Sequence, residues 1–155
     1  MDYNTLLFMH IASAILLLGV GGGSAFYKFM ADRSKNLDVI VHTNKMVVLA
    51  DWIFTTPSVI AQPITGVILA NLMGYSFDDL WLILSVNLYL FSVVLWLVAV
   101  LLQISMKNVS LEAQAKSIAL GKRYFRVVNY WIVLGILSFI SMGGVFLLMI
   151  FKNRL

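Results

Sequence analysis

Cysteine is absent from the 155 residues, which excludes structural disulfides, thiolate metal sites and thiol catalysis. Charge is scarce as well: Asp, Glu, Lys and Arg make up 12% of the chain, against about a quarter in ordinary soluble domains. Histidine occurs twice, at His10 and His42, and proline twice, at Pro57 and Pro63. Without cysteine, and with the two histidines in different segments, no nucleophile, base and orienting group come together, which argues against hydrolase chemistry.

What fills the chain is hydrocarbon. Apolar residues account for 61% of it and the mean hydropathy is +0.94. Apolar runs at Leu6–Phe26, Met46–Leu72, Leu80–Leu102 and Val127–Phe151 each reach the ~20 residues that an α-helix needs to cross a bilayer. Short polar breaks separate them. The pattern predicts an all-α, integral-membrane four-helix bundle in one transmembrane domain over 1–155, with helices at about 5–30, 39–73, 79–106 and 124–152. The first run resembles a secretory signal, but no positive charge precedes it and it outlasts a signal core, so it is expected to be a permanent helix.

Basic residues cluster by side. Lys28, Arg33, Lys35 and Lys45 flank the first connection, and Lys107, Lys116, Lys122, Arg123 and Arg126 flank the third; the middle connection carries Asp78 and Asp79 instead. Since short cytoplasmic loops collect Lys and Arg, both termini are expected outside, with Lys152 and Arg154 as the discordant pair. Such loops fit topology and anionic lipid, and no nucleic acid is called for. Between the third and fourth runs, Ser110 as N-cap, Gly121 as stop, and Leu111, Ala115 and Ile118 at helical spacing predict a short interfacial helix.

Depth sorts the polar residues into two layers. Counting inward at ~1.5 Å per residue gives an outer layer of His10, Gln62 and Asn87 and an inner one of Asp51, Thr55, Asn129 and Arg126. An ionised Asp at membrane depth costs ~3 kcal/mol on insertion scales, so Asp51 is expected to face the interior, with Arg126 as its first partner and Lys45 and Lys28 behind it. Two readings stay open: a locking buried pair, or a proton relay. Pro57 and Pro63 deprive the carbonyls of Ile53 and Val59 of their usual donors, which predicts a kink about Thr56–Pro57. The hydroxyls of Thr55, Thr56 and Ser58 are placed to satisfy freed groups. Trp52 and Trp96 lie deep enough to line a cavity.

On the first helix His10, Ser13, Leu17, Gly21 and Ser24 recur at helical spacing, and Gly19 and Gly23 form a small-xxx-small pair suited to close packing. A neutral imidazole in a bundle is a usual haem or metal ligand. About 25 Å of bilayer separates His10 from His42, so no haem is clasped between the two, and His42 reads as a solvated interfacial residue. A haem on His10 takes another sixth ligand or none; Met9 offers a thioether to iron, or with His10 to copper(I).

The stretch VVLADWIFTTPSVIAQPITG (Val47–Gly66), with LLFMHIASAILLLGVGGGSAF before it and YWIVLGILSF after it, resembles the bacterial integral-membrane family of domain of unknown function 2269. The resemblance spans most of the chain and implies a bacterial cytoplasmic (inner) membrane. The first helix is also distantly similar, through His10, Ala12, Ser13 and Ala14 and the glycines that follow, to protoporphyrinogen oxidase of the HemJ type, to cytochrome b-like proteins and to copper-resistance membrane proteins. Three function classes follow. One is b-type haem redox, with haem b on His10, with Ser13 and Gly21 on the same face, Gln62 and Asn87 at propionates or a quinone-like molecule, and Asp51 relaying protons. Another is a small proton-coupled transporter or copper-handling protein. The third is a non-catalytic membrane partner or homo-oligomer subunit.

The natural lack of cysteine makes the orientation directly testable. A single cysteine at Ser76 is expected to react with an impermeant maleimide added to intact cells, and one at Ser34 only after lysis; the opposite pattern reverses the orientation.

Overall fold

The computed structural model describes residues 2–152. Arg154, half of the discordant basic pair, lies outside the described residues. Among the described residues, five α-helices and one π-helical turn make the four spans: α1 Tyr3–Ser34, α2 Leu37–Ala50, a π turn Asp51–Thr55, α3 Thr56–Leu72, α4 Leu80–Ala115 and α5 Lys122–Phe151. The second span is α2, π turn and α3 together, Leu37–Leu72, and all four spans are long and apolar enough to cross a membrane. This is the expected all-helical membrane bundle.

The ends are set by local chemistry. Lys35 closes α1 in the left-handed region at φ 54°, and Asn36 starts α2 by accepting from the backbone amides of Asp38 and Val39 at 3.0 and 3.3 Å. No short interfacial helix precedes α5. The α4 helix runs unbroken to Ala115, and residues 116–121 are a turn and loop. Ser110 fails as an N-cap because it is already inside α4, fully buried, donating to the Lys107 carbonyl and accepting from Asn44.

In lipid no hydrophobic force draws one helix to another, so packing and interhelical hydrogen bonds hold the bundle. The α4 and α5 helices pack along each other, α1 packs against α3, and α2 against both α1 and α4. Ser92 and Ser138 pair their hydroxyls at 2.6 Å across the α4–α5 contact. The helix faces turned away from the bundle are apolar, with Phe8 and Leu101 about two-thirds exposed or more.

The tightest polar knot lies at the basic end. Lys28 is 1% exposed, pairs with Asp32 one turn on, and donates to the Tyr124 hydroxyl at 2.9 Å. Tyr124 donates to the other Asp32 oxygen at 3.1 Å and accepts from Asn44 at 3.0 Å; the same Asn44 amide reaches Ser110 at 2.9 Å. Four helices, α1, α2, α4 and α5, thus meet in one network beside the apolar cluster of Ile40, Val47, Met106, Val128 and Trp131.

Removing one member of a buried ion pair costs about 3–5 kcal/mol because the other charge is stranded. Asp32→Ala is therefore expected to lower the unfolding temperature of the purified protein far more than the double variant Lys28→Met with Asp32→Asn, measured by helical circular dichroism in detergent. Equal losses in the two would contradict this role for the pair.

Candidate functional site

The two prolines shape the second span. A proline ring clashes with the carbonyl four residues back in a regular helix, and the helix widens into the π turn in the residues immediately before Pro57. The irregularity therefore falls one turn earlier than a kink at Thr56–Pro57. Within it the Thr56 backbone amide and its hydroxyl, the latter at 2.9 Å, both donate to the Asp51 carbonyl. The expected hydroxyl relief exists, but it serves Asp51 and not Ile53. Six residues on, Pro63 frees the Val59 carbonyl, and the Tyr89 hydroxyl of α4 donates to it. Tyr89 carries no sequence signal for this role beyond being a polar-tipped aromatic in mid-span.

Asp51 opens the π turn and is 6% exposed. One carboxyl oxygen accepts from the Thr55 hydroxyl at 2.8 Å; the other is buried with no partner at full hydrogen-bond geometry, and the Gln103 side chain of α4 is the polar group near the carboxyl. The expected cation is elsewhere: Lys28 is committed to Asp32, and Lys45, Arg126 and Asn129 are exposed. Arg126 and Asn129 are thus not part of the interior layer. They sit on the α5 face turned away from Tyr124 and Val128, which are the residues that α5 buries there.

Asp51 lines a half-open cavity of about 430 Å³ to which all four spans contribute. Its walls include Gly21 and Gly22 of α1, Asp51 and Thr55 of the π turn, Tyr89, Trp96 and Gln103 of α4, and Trp131 and Phe139 of α5. The indole N–H of Trp96 is likewise buried without a partner. Asp51 and Trp96, each with one such atom, thus line the same largely apolar cavity. Trp52, by contrast, is 59% exposed and faces away. Gly19 and Gly23 meet nothing within 4 Å, so close packing does not explain them; the α1 glycine that faces a neighbour is Gly22, where an added Cβ would stand 3.6 Å from the Phe139 ring.

The outer layer forms a separate cluster between α1 and α3. His10 Nδ1 lies 2.8 Å from the Thr65 hydroxyl, which also lies 2.7 Å from the Ala61 carbonyl; with the Thr65 proton given to that carbonyl, the imidazole is the donor and carries its proton on Nδ1. Gln62 donates to the His10 carbonyl at 2.8 Å and to Ser13 at 3.0 Å, and Ser13 donates to the same carbonyl at 2.9 Å. Gly66 is what lets the ring sit there, since a Cβ would come within 3.3 Å of His10 Cε1. Asn87 does not join: it is exposed and donates to Ile83 of its own helix. Met9 is 41% exposed, one residue and so about 100° around α1 from His10. His42 is exposed, as expected for an interfacial residue.

The chain matches the family described as "Predicted integral membrane protein (DUF2269)" over residues 4–153, and it belongs to that family. No curated protein and no solved structure matches it, and the likeness to haem- and copper-linked membrane proteins is not shown.

Stranding a buried carbonyl costs about 1–3 kcal/mol. Tyr89→Phe, which strands that of Val59 and little else, is expected to lower thermal stability by that order in detergent-unfolding measurements, whereas Asn87→Ala leaves it unchanged.

Proposed function

We propose that this is a small-molecule-handling protein of the bacterial cytoplasmic membrane, a proton-linked binder or carrier. It holds an apolar or amphiphilic molecule in the bundle cavity and exchanges a proton at Asp51. The observation that carries the reading is that Asp51 and Trp96, each with one buried polar atom lacking a hydrogen-bond partner, line the same cavity. A buried polar group without a partner costs free energy, and natural interiors keep few of them. Two together in a space within the ~300–1,000 Å³ range of ligand sites mark a place where a bound molecule supplies the missing contacts. The position on a π turn supports the same reading, because such turns concentrate at functional sites.

With no cation beside it, the Asp51 carboxyl carries its proton while the cavity is empty. Thr55 holds one of its oxygens, and Gln103, also in the cavity wall, is the other polar side chain near the carboxyl. The basic connections lie on the cytoplasmic side in this reading.

The haem reading draws less support. His10 lies outside the cavity lining, in the α1–α3 cluster, and Gln62 is spent on the His10 carbonyl and Ser13. Its Nε2 keeps a free lone pair, so a spectrum is decisive: protein purified from haem-supplied cells is expected to show no Soret band that His10→Ala removes.

An apolar carbodiimide tests the main reading, since it reaches protonated carboxyls in greasy cavities and leaves an adduct that peptide mass mapping locates. Asp51 is expected to be modified by dicyclohexylcarbodiimide, and Asp32, engaged by Lys28 and Tyr124, is expected to be spared. Folded protein in which Asp51 stays unreacted would sink the cavity reading.

A further inference from the structure

We infer that the occupant is a lipophilic organic cation that displaces the Asp51 proton and enters from the bilayer between α1 and α5. The inference rests on the cavity-binding reading above and adds the chemical class and the route.

Charge makes the first argument. Among the described residues lining the cavity, Asp51 is the only acid, and there is no Lys, Arg or His. The other titratable group is Tyr89, whose hydroxyl is engaged by the Val59 carbonyl. In a low-dielectric chamber with one acid and no base, net charge is avoided in two states: a proton on the carboxyl, or one monovalent cation beside the carboxylate. An anion meets the carboxylate with nothing to offset it. The exchange is balanced, because the incoming cation pairs with the carboxylate as the carboxyl proton leaves, and no bond in the ligand is made or broken.

The rings make the second argument. Phe29, Tyr89, Trp96, Trp131 and Phe139 all border the space, and aromatic walls suit a large organic cation both as apolar surface and through the attraction of ring faces for positive charge. The Trp96 N–H remains for an ether, carbonyl or hydroxyl oxygen on the same molecule.

The third argument is the open side. Contact between α1 and α5 is slight beside that between α4 and α5. At the seam Gly22 faces Phe139. Ile136, Phe139 and Ile140 border the cavity and are 54%, 50% and 65% exposed. The cavity therefore reaches the surface of the bundle along α5, where a lipophilic cation would already be concentrated in the hydrocarbon.

The test uses the full-length protein in detergent, with empty micelles as blank, and two probes of nearly one shape: methyltriphenylphosphonium, which is charged, and triphenylphosphine oxide, which is neutral. Binding is followed by equilibrium dialysis and proton release by pH change in weak buffer. The cation is expected to bind about tenfold more tightly or better, as loss of one charged contact implies, and to release close to one proton per molecule bound. Asp51→Asn should erase both the preference and the release, while Trp96→Phe keeps the release. Gly22→Leu, which narrows the seam, should slow association without changing the proton count, and unchanged rates would remove the route. Equal binding of both probes with no proton released overturns the cation assignment but leaves the cavity reading standing with a neutral occupant. Binding of neither probe overturns the assignment too, and carbodiimide labelling of Asp51 then decides the reading beneath it. Should Asp51→Asn fail to fold, the preference and proton count of the wild-type protein still decide the assignment.

Discussion

Backbone hydrogen bonding inside hydrocarbon is the constraint on which this bundle turns. Water is not there to satisfy a stranded amide or carbonyl, so two prolines in one span must be answered by protein. The answer to Pro57 is local: the helix widens at Asp51–Thr55, and Thr56 doubles its bonds to the Asp51 carbonyl. The answer to Pro63 is tertiary, for Tyr89 crosses from α4 to the Val59 carbonyl. One response points a carboxyl inward and the other ties α4 to the second span about 12 Å further along it. The chamber between them is a product of both.

Polar clamps stand on either side of that chamber. At one end the Lys28, Asp32, Tyr124, Asn44 and Ser110 network joins four helices; in the other half His10, Ser13, Gln62 and Thr65 join α1 to α3. The Ser92–Ser138 contact does the same for α4 and α5. With the helices tied in pairs and at one end, the middle can stay loosely filled without the bundle coming apart. Polar contacts across membrane helices are individually modest, which is consistent with several of them sharing the task.

Much of this was legible from residue order. Hydropathy alone finds the four spans, because ~20-residue apolar runs have few other uses. The inward placement of Asp51, Thr55 and Gln62 follows from the cost of facing lipid. What depth counting cannot supply is azimuth: Asn87, Asn129 and Arg126 lie at suitable heights, yet on faces turned outward. Partner choice was hidden for a related reason. Lys28 has an acid one turn away at Asp32, and that local pair forestalls any longer reach to Asp51. Ser110 resembled a cap because serine both caps helices and fills buried helix interiors, and only the facing Asn44 separates the two. The family match confirms the membership that the Val47–Gly66 stretch suggested.

The reach of α4 carries one more consequence. Its 36 residues, at ~1.5 Å each, measure about 54 Å, well beyond the ~30 Å of a hydrocarbon core. The excess lies past Leu102, in the stretch bearing Lys107, Glu112 and Gln114, where α2 and the start of α5 run beside it. On that side the molecule meets the aqueous phase as a stiff helical stub, with slack chain confined to residues 35–36 and 116–121. Anything that grips the stub has a lever arm whose far end is the wall of the buried chamber.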